Sequence, residues 1–229
     1  MGDLDVIVPP DENGGYPPDL MVGCQGASVF PLGAIYEIEL IAPDDPDGML
    51  AAIEPFLSSE EGLMGHWPQD GWQLLYQAED RATLVARANG TLAYMRLSRE
   101  SGVWKWGGSS ISGSRCDLQY ALPEGLNVVR WRLDPSAPEP GPDTTELVVL
   151  LTEAACASGL PMGDRFVGHQ VVMTETEVRL AFAAESQHSA QSCPGNPETA
   201  YTVELPEPLG DREIVESMSI GIVLEDYVS

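Results

Sequence analysis

The sequence has very little positive charge, and none in its first 80 residues. Eleven Lys and Arg residues stand against 36 Asp and Glu, which gives a formal net charge of -25. The first basic residue is Arg81, and Lys105 is the only lysine. Because so acidic a chain is repelled by a phosphate backbone, we exclude nucleic acid as a partner.

Long hydrophobic runs are also missing. No stretch approaches the roughly 18 apolar residues that a membrane-spanning helix needs, so the sequence predicts no transmembrane segment. The opening residues lack the basic and apolar regions of a signal peptide. We expect Met1 and Gly2 to be an artificial start and a signal sequence to have been removed.

Cysteine and histidine are scarce and widely spaced. Four cysteines are present, with no CxxC pair, whereas a zinc site usually shows close pairs of ligands. An even number of dispersed cysteines indicates two disulfides in an oxidising, extracytoplasmic compartment. The four residues are Cys24, Cys116, Cys156 and Cys193.

Periodicity predicts a mainly β protein. The first half is expected to be α+β, with one helix through Leu57, kinked by Pro55, on an antiparallel sheet. The second half, with short alternating strands and no long helix, is expected to be a small antiparallel β-sandwich. A final strand is predicted at residues 219–224.

Proline-rich segments suggest the domain boundaries. We expect an extended acidic leader at 1–20, which tethers more than it packs, and an α+β domain at 21–134. A stiff linker at 135–142 would then lead to a sandwich-like domain at 143–229. Pairing the cysteines by domain joins Cys24 to Cys116 and Cys156 to Cys193, which is one of three connectivities.

The dipeptide at positions 89 and 90, Asn-Gly, is the strongest hairpin signal in the chain. A two-residue turn there predicts that Arg87 pairs with Leu92 and Val85 with Tyr94 across the two strands. That register places small apolar side chains on one face, which should cover the helix. The predicted apolar set is Leu84, Ala86, Ala93, Met95 and Leu97.

Several segments of the second half resemble a known group of proteins. These are residues 145–153, Ala155-Cys156-Ala157-Ser158-Gly159, Cys193-Pro194-Gly195-Asn196-Pro197 and Pro208-Leu209-Gly210-Asp211-Arg212. They resemble a C-terminal module of uncharacterised exported proteins and lipoproteins from high-GC, mainly actinobacterial, bacteria. The resemblance implies export and supports the pairing of Cys156 with Cys193. It implies no activity and no catalytic residues.

Basic residues near aromatic ones form the candidate ligand-binding face. A basic sheet face could bind an anionic glycan, a carboxylate ligand or an acidic partner segment. The alternative is that these cations pair with the acidic first 80 residues of the same chain. The candidate residues are Arg87, Tyr94, Arg96, Lys105, Arg130 and Arg132.

An acidic run could bind calcium, although capping of the following helix explains it without an ion. Its candidate ligands are Asp44, Asp45 and Asp47. No other cofactor is indicated. The three histidines, His66, His169 and His188, are too far apart in sequence to predict a site.

These observations favour a noncatalytic extracytoplasmic binding or interaction module of unknown ligand and unknown oligomeric state. One alternative is a surface or assembly subunit that its negative charge keeps in solution. The other is a secreted hydrolase whose carboxylates the sequence does not identify. A cleft with convergent carboxylates or histidine would favour the hydrolase.

Overall fold

The computed structural model describes residues 4–11, 15–24, 29–41, 45, 47–64, 67–88, 91–111, 116–187, 191–216 and 218–228. The protein is mainly β, with antiparallel sheets and one main helix, as the sequence predicts. Within these ranges no helix has the length and apolarity needed to cross a bilayer.

The elements are numbered in chain order. The first are β1 (Met21–Gly23), β2 (Val29–Pro31), β3 (Glu39–Leu40), α1 (Met49–Leu57), α2 (Glu60–Met64), β4 (Gln73–Gln77), β5 (Arg81–Ala88), β6 (Thr91–Glu100), β7 (Val103–Ile111) and β8 (Asp117–Tyr120). The others are β9 (Leu126–Leu133), β10 (Glu146–Glu153), β11 (Phe166–Met173), β12 (Glu177–Glu185), β13 (Thr199–Glu204), β14 (Glu213–Glu216) and β15 (Ser219–Val223).

The chain divides into two compact units, and each unit is built from two separate segments of the sequence. The helical unit contains Pro10–Ala121 and Ser219–Ser229. The curled-sheet unit contains Met1–Pro9 and Leu122–Met218. The boundaries therefore fall after Pro9, Ala121 and Met218, and not in the proline-rich segment where the sequence suggested one.

The proline-rich segment 135–142 is the connection of a hairpin within one sheet. It joins β9 to β10, which pair antiparallel from Leu133 opposite Val149 onward. The amide of Asp134 also donates to the carbonyl of Val148 at 2.9 Å, so the pairing continues to the start of the segment. Proline stiffens linkers and hairpin loops alike, so the composition of this segment does not distinguish them. The pairing of β9 with β10 on either side of it identifies a hairpin loop.

The helical unit contains a five-stranded antiparallel sheet in the order β3-β4-β5-β6-β7. The β5–β6 register is the predicted one, with Arg87 opposite Leu92 and Val85 opposite Tyr94. One face of this hairpin packs on α1, which confirms the predicted apolar face. The buried residues of that core are Met49, Ile53, Phe56, Leu57, Trp72, Ala82, Leu84, Ala86, Ala93, Met95, Leu97 and Trp104.

Helix α1 forms where apolar residues recur at helical spacing after an acidic cap. The carboxylate of Asp45 accepts hydrogen bonds from the amides of Met49 and Ala51, at 2.8 and 2.9 Å. The helix continues through Pro55 and ends at Leu57. The predicted helix is thus confirmed, while the kink at Pro55 stays a prediction.

The other face of the β5–β6 hairpin is buried as well. Val85 and Leu92 are fully buried, and Tyr94 is 2% exposed. The Tyr94 hydroxyl lies 3.1 Å from the Sγ atom of Cys24, which directly follows β1. Strand β1 belongs to a four-stranded antiparallel sheet in the order β15-β8-β1-β2, so this sheet contributes to covering the face.

The curled-sheet unit is one sheet that folds over its own core. Its strand order is β11-β12-β9-β10-β13, and β14 runs parallel to the first part of β12. Although β11 and β13 stand at opposite ends of this order, the rings of Phe166 and Tyr201 from these two strands are 4.9 Å apart. The predicted sandwich is therefore built by curling a single sheet.

The N-terminal residues pack against the curled-sheet unit, which corrects the expectation of a loose leader. The amides of Val6 and Ile7 both donate to the side-chain carbonyl of Gln170 at 2.7 Å. The Gln170 amide nitrogen donates to the carbonyl of Ile7 at 3.2 Å. The side chain of Gln170 thus provides backbone hydrogen-bond partners that a neighbouring strand would otherwise provide. Leu4 and Ile7 of this segment are buried, at 7% and 3% exposure.

Both predicted disulfides are present, and each lies within one unit. Cys24 is bonded to Cys116, 92 residues apart, in the helical unit. Cys156 is bonded to Cys193, 37 residues apart, in the curled-sheet unit. Two such bonds indicate that the protein folds in an oxidising environment.

The position of β9 can be tested with fragments. Residues 143–229, the domain expected from the sequence, lack the strand that lies between β12 and β10, whereas residues 122–218 contain it. We expect a cooperative thermal transition by circular dichroism for 122–218 and none for 143–229. A cooperative transition in the shorter fragment would contradict this sheet order.

Candidate functional site

Two of the three predicted ligand residues on the β5–β6 hairpin, Arg87 and Tyr94, contact other parts of the helical unit. Tyr94 is buried, so it cannot meet a ligand at the surface. The Nε atom of Arg87 donates to the carbonyl oxygen of Val228 at 2.9 Å. Arg96 is exposed, and its guanidinium lies against Gly108 of the neighbouring strand. The predicted register of β5 and β6 is correct, but Arg87 and Tyr94 on this face contact other parts of the chain.

The remaining predicted cations lie elsewhere. Lys105 forms an exposed ion pair with Glu100. Arg132 makes two hydrogen bonds to the carboxylate of Glu198, at 2.8 and 2.7 Å, and these lower the pKa of Glu198. Arg130 and Arg132 belong to the curled-sheet unit, whereas Arg87 and Arg96 belong to the helical unit. The acidic partners of Lys105 and Arg132 lie outside the first 80 residues, in contrast to the alternative expected from the sequence.

The acidic run before α1 acts as a helix cap. Both carboxylate oxygens of Asp45 accept backbone amides, as described above, and Asp47 is exposed. Asp44 lies outside the described residues. Across the described ranges, no group of three or more His, Cys, Asp or Glu side chains could hold a metal ion.

Of the three histidines, only His169 lies in the described part of the chain. Its Nδ1 atom is 3.2 Å from the Tyr201 hydroxyl, where β11 faces β13. Burial raises the pKa of Tyr201, and the negative charge of Glu204 raises it further. The contact joins the two ends of the curled sheet, so its role is structural.

A buried ion pair that sequence reasoning missed lies where β9, β10 and β12 meet. Glu153, which is 4% exposed, accepts hydrogen bonds from both terminal nitrogens of Arg165, at 2.8 and 2.6 Å, and from Asn127 at 3.0 Å. Burial by itself would raise the pKa of Glu153. The hydrogen bonds from Arg165 and Asn127 outweigh it, so the pKa is lower than usual.

The sequence motif around the second disulfide is part of the same structural region. The side-chain amide of Asn196 donates to the carbonyls of Glu153 and Ala155, at 2.9 and 2.6 Å. Ser158 binds both the side chain of Gln191 and the backbone of Ser192. Ser158 and Asn196 thus hold the two segments that flank the Cys156–Cys193 bond in place.

The best candidate site is a groove beside α1 in the helical unit. It has a volume of about 810 Å³, within the range of roughly 300–1,000 Å³ typical of ligand sites. Helix α1 forms one wall, and the edge strand β3 with the 69–72 segment forms the other. We call it the α1 groove; its apolar lining is Leu40, Ile41, Leu50, Ile53, Leu57 and Trp72.

Local hydrogen bonds fix the walls of the α1 groove. The amide of Ile41 donates to the carbonyl of Trp72 at 3.2 Å, which holds the end of β3 to the opposite segment. The indole nitrogen of Trp72 donates to the carbonyl of Pro68 at 3.2 Å. Trp72 is 2% exposed and Ile53 is fully buried, so both belong to the core beneath the groove.

The rim of the α1 groove is acidic. Asp45, Glu54 and Asp70 line it, together with the polar residues Ser58 and Gln69. None of the described lining residues is basic. No sequence signal identified this groove, because its residues come from three separated segments, although the absence of Lys and Arg before Arg81 does predict its negative charge.

Comparison with known proteins adds no relative: no family model, no curated protein and no solved structure matches the chain.

The buried ion pair predicts a pH-dependent effect of Glu153→Gln. At pH 7 we expect the variant to lose about 2 kcal/mol of unfolding free energy, because the hydrogen bonds from Arg165 lose their charged acceptor. In the native protein the low pKa of Glu153 stabilises the fold above the unfolded value near 4.5, and this contribution disappears as the pH falls through the native pKa.

Denaturant unfolding at pH 7, 5 and 3 measures this difference. Glu146→Gln is the control, because Glu146 is exposed at the other end of β10. The gap between the native protein and Glu153→Gln should narrow toward pH 3. An equal gap at all three pH values would contradict the assigned role.

Proposed function

We propose that this protein is a noncatalytic binding module of an oxidising, extracytoplasmic compartment, and that it binds apolar side chains of a protein partner in the α1 groove. The observation that carries the proposal is the combination of an apolar floor and an open mouth beside the only helix longer than five residues in the described chain. Apolar surface left open to water in this way is typical of interaction sites.

The disulfides support the compartment. All four cysteines are bonded in pairs, and such bonds persist outside the reducing cytosol. The second-half segments that are similar to exported proteins and lipoproteins favour the same location. We therefore propose that the protein is secreted or held at the cell surface.

A binding role is favoured over hydrolysis by the state of the acidic side chains at the groove. Asp45 uses both of its carboxylate oxygens to accept backbone amides of α1, so it is engaged in capping the helix. Glu54 and Asp70 are exposed, and water solvates both carboxylates. The described lining of the groove also contains no histidine and no cysteine, which are the commonest partners of a carboxylate in hydrolytic sites.

The assembly-subunit alternative remains a separate hypothesis, and it requires the protein to associate with itself. Sedimentation at low and high salt distinguishes the two. A binding module stays monomeric in the absence of its partner, whereas an assembly subunit forms a defined oligomer.

Filling the α1 groove tests the binding proposal. Ala51 lines the groove and is exposed on α1, so Ala51→Trp should place an indole in the groove without disturbing the core. We expect the affinity for the neutral dye Nile red to fall by about tenfold, because the indole replaces the apolar contacts of the dye.

The control is Ala200→Trp, which changes an exposed alanine on β13 in the curled-sheet unit. Its dye affinity should equal that of the native protein in a fluorescence titration. Equal dye binding by Ala51→Trp and the native protein would show that the α1 groove is not the apolar site.

A further inference from the structure

We infer that the occupant of the α1 groove is a basic, apolar peptide segment of the partner protein, in which Lys or Arg residues alternate with large apolar ones. This inference rests on the proposed function and adds the chemistry of the partner to it. Three features of the groove carry it: the unbalanced charge of its rim, the shape of its apolar floor and the strand that forms one wall.

The rim attracts positive charge because its carboxylates have no basic counterpart nearby. Glu54 and Asp70 are exposed, and neither forms an ion pair with a described residue. The lining of the groove lies within residues 40–72, in the part of the sequence that has no Lys or Arg. A concave surface with charges of one sign focuses its potential, so it selects a ligand of the opposite sign.

The floor requires apolar groups between those charges. Leu50 and Ile41 pack on the α1 core and remain partly exposed in the groove. Leu40 of β3 is 65% exposed, which is unusual for a leucine beside a formed apolar surface. Leucine-like side chains of a partner would cover these residues, whereas a hydrophilic cation would leave them in water.

The wall formed by β3 favours a peptide over a small cation. Strand β3 has two residues, and among the described strands it pairs with β4 and stands at the end of the strand order, with Glu39 opposite Leu74 and Leu40 opposite Gln73. An edge strand presents backbone donors and acceptors along its outer side, and an extended peptide can pair with them. Backbone pairing would also align alternate side chains of the peptide with the floor.

Three labelled peptides of twelve residues test the chemistry of the occupant. They share alternating leucines and differ in the intervening residue, which is lysine, serine or glutamate. We expect the Leu-Lys peptide to bind at least about tenfold more tightly than the Leu-Ser peptide at low salt, with the Leu-Glu peptide weakest, because the rim is acidic. Fluorescence anisotropy measures each affinity.

Matched variants separate the rim from the net charge of the protein. Glu54→Gln with Asp70→Asn removes two rim charges, and Asp143→Asn with Glu175→Gln removes two exposed charges of the curled-sheet unit. We expect the rim pair to weaken Leu-Lys binding by about fivefold and the control pair by less than about twofold, since the control residues do not line the groove and exposed charges are screened by salt.

The outcomes distinguish this inference from the proposed function. If the Leu-Lys and Leu-Ser peptides bind equally well and Ala51→Trp weakens both, the groove is a binding site and the inferred charge preference is wrong. If no peptide binding responds to Ala51→Trp, the proposed function fails. Equal losses in the two charge-removal variants would assign the attraction to the net charge and overturn the inference.

Discussion

The pairing register of β5 and β6 is the constraint on which the helical unit depends. With Ala88 opposite Thr91, alternate side chains divide into two sets, and each set meets a different part of the chain. One set packs on α1 and gives the helix a fixed surface on which to lie. The other includes Tyr94, which reaches Cys24 of the first disulfide. A shift by one residue would exchange the two sets, and α1 would lose the apolar surface on which it packs.

In the curled-sheet unit, a disulfide and a buried ion pair hold separate segments together. The Cys156–Cys193 bond closes a loop whose entropy cost, by chain-entropy estimates, corresponds to about 4 kcal/mol of stabilisation. The carboxylate of Glu153 accepts hydrogen bonds from Asn127 and Arg165. The backbone carbonyl of Glu153 accepts one from Asn196. The loop, the ends of two strands and the segment before β11 are therefore joined at one residue.

Local sequence patterns predicted the structural features that depend on residues close together in the chain. Alternating side chains around the Asn-Gly turn gave the hairpin and its buried face, and the acidic run gave the cap of α1. The errors concern contacts between distant residues. The hydrogen bond from Val6 to Gln170 spans 164 positions, and no local pattern indicates that a leader will pack there. The segment 135–142 has the composition of a linker, yet the pairing of β9 with β10 makes it a loop. The groove escaped prediction because β3, α1 and the segment before β4 are brought together only by the fold.

Each unit takes residues from two separate segments of the chain, so neither unit can be completed before its later segment has been synthesised. The curled-sheet unit includes Leu4 and Ile7 from the start of the chain, and their segment is bound by Gln170 from far downstream. The four-stranded sheet of the helical unit includes β15, which comes at the end of the chain. A ribosome must therefore release nearly the entire polypeptide before either unit closes.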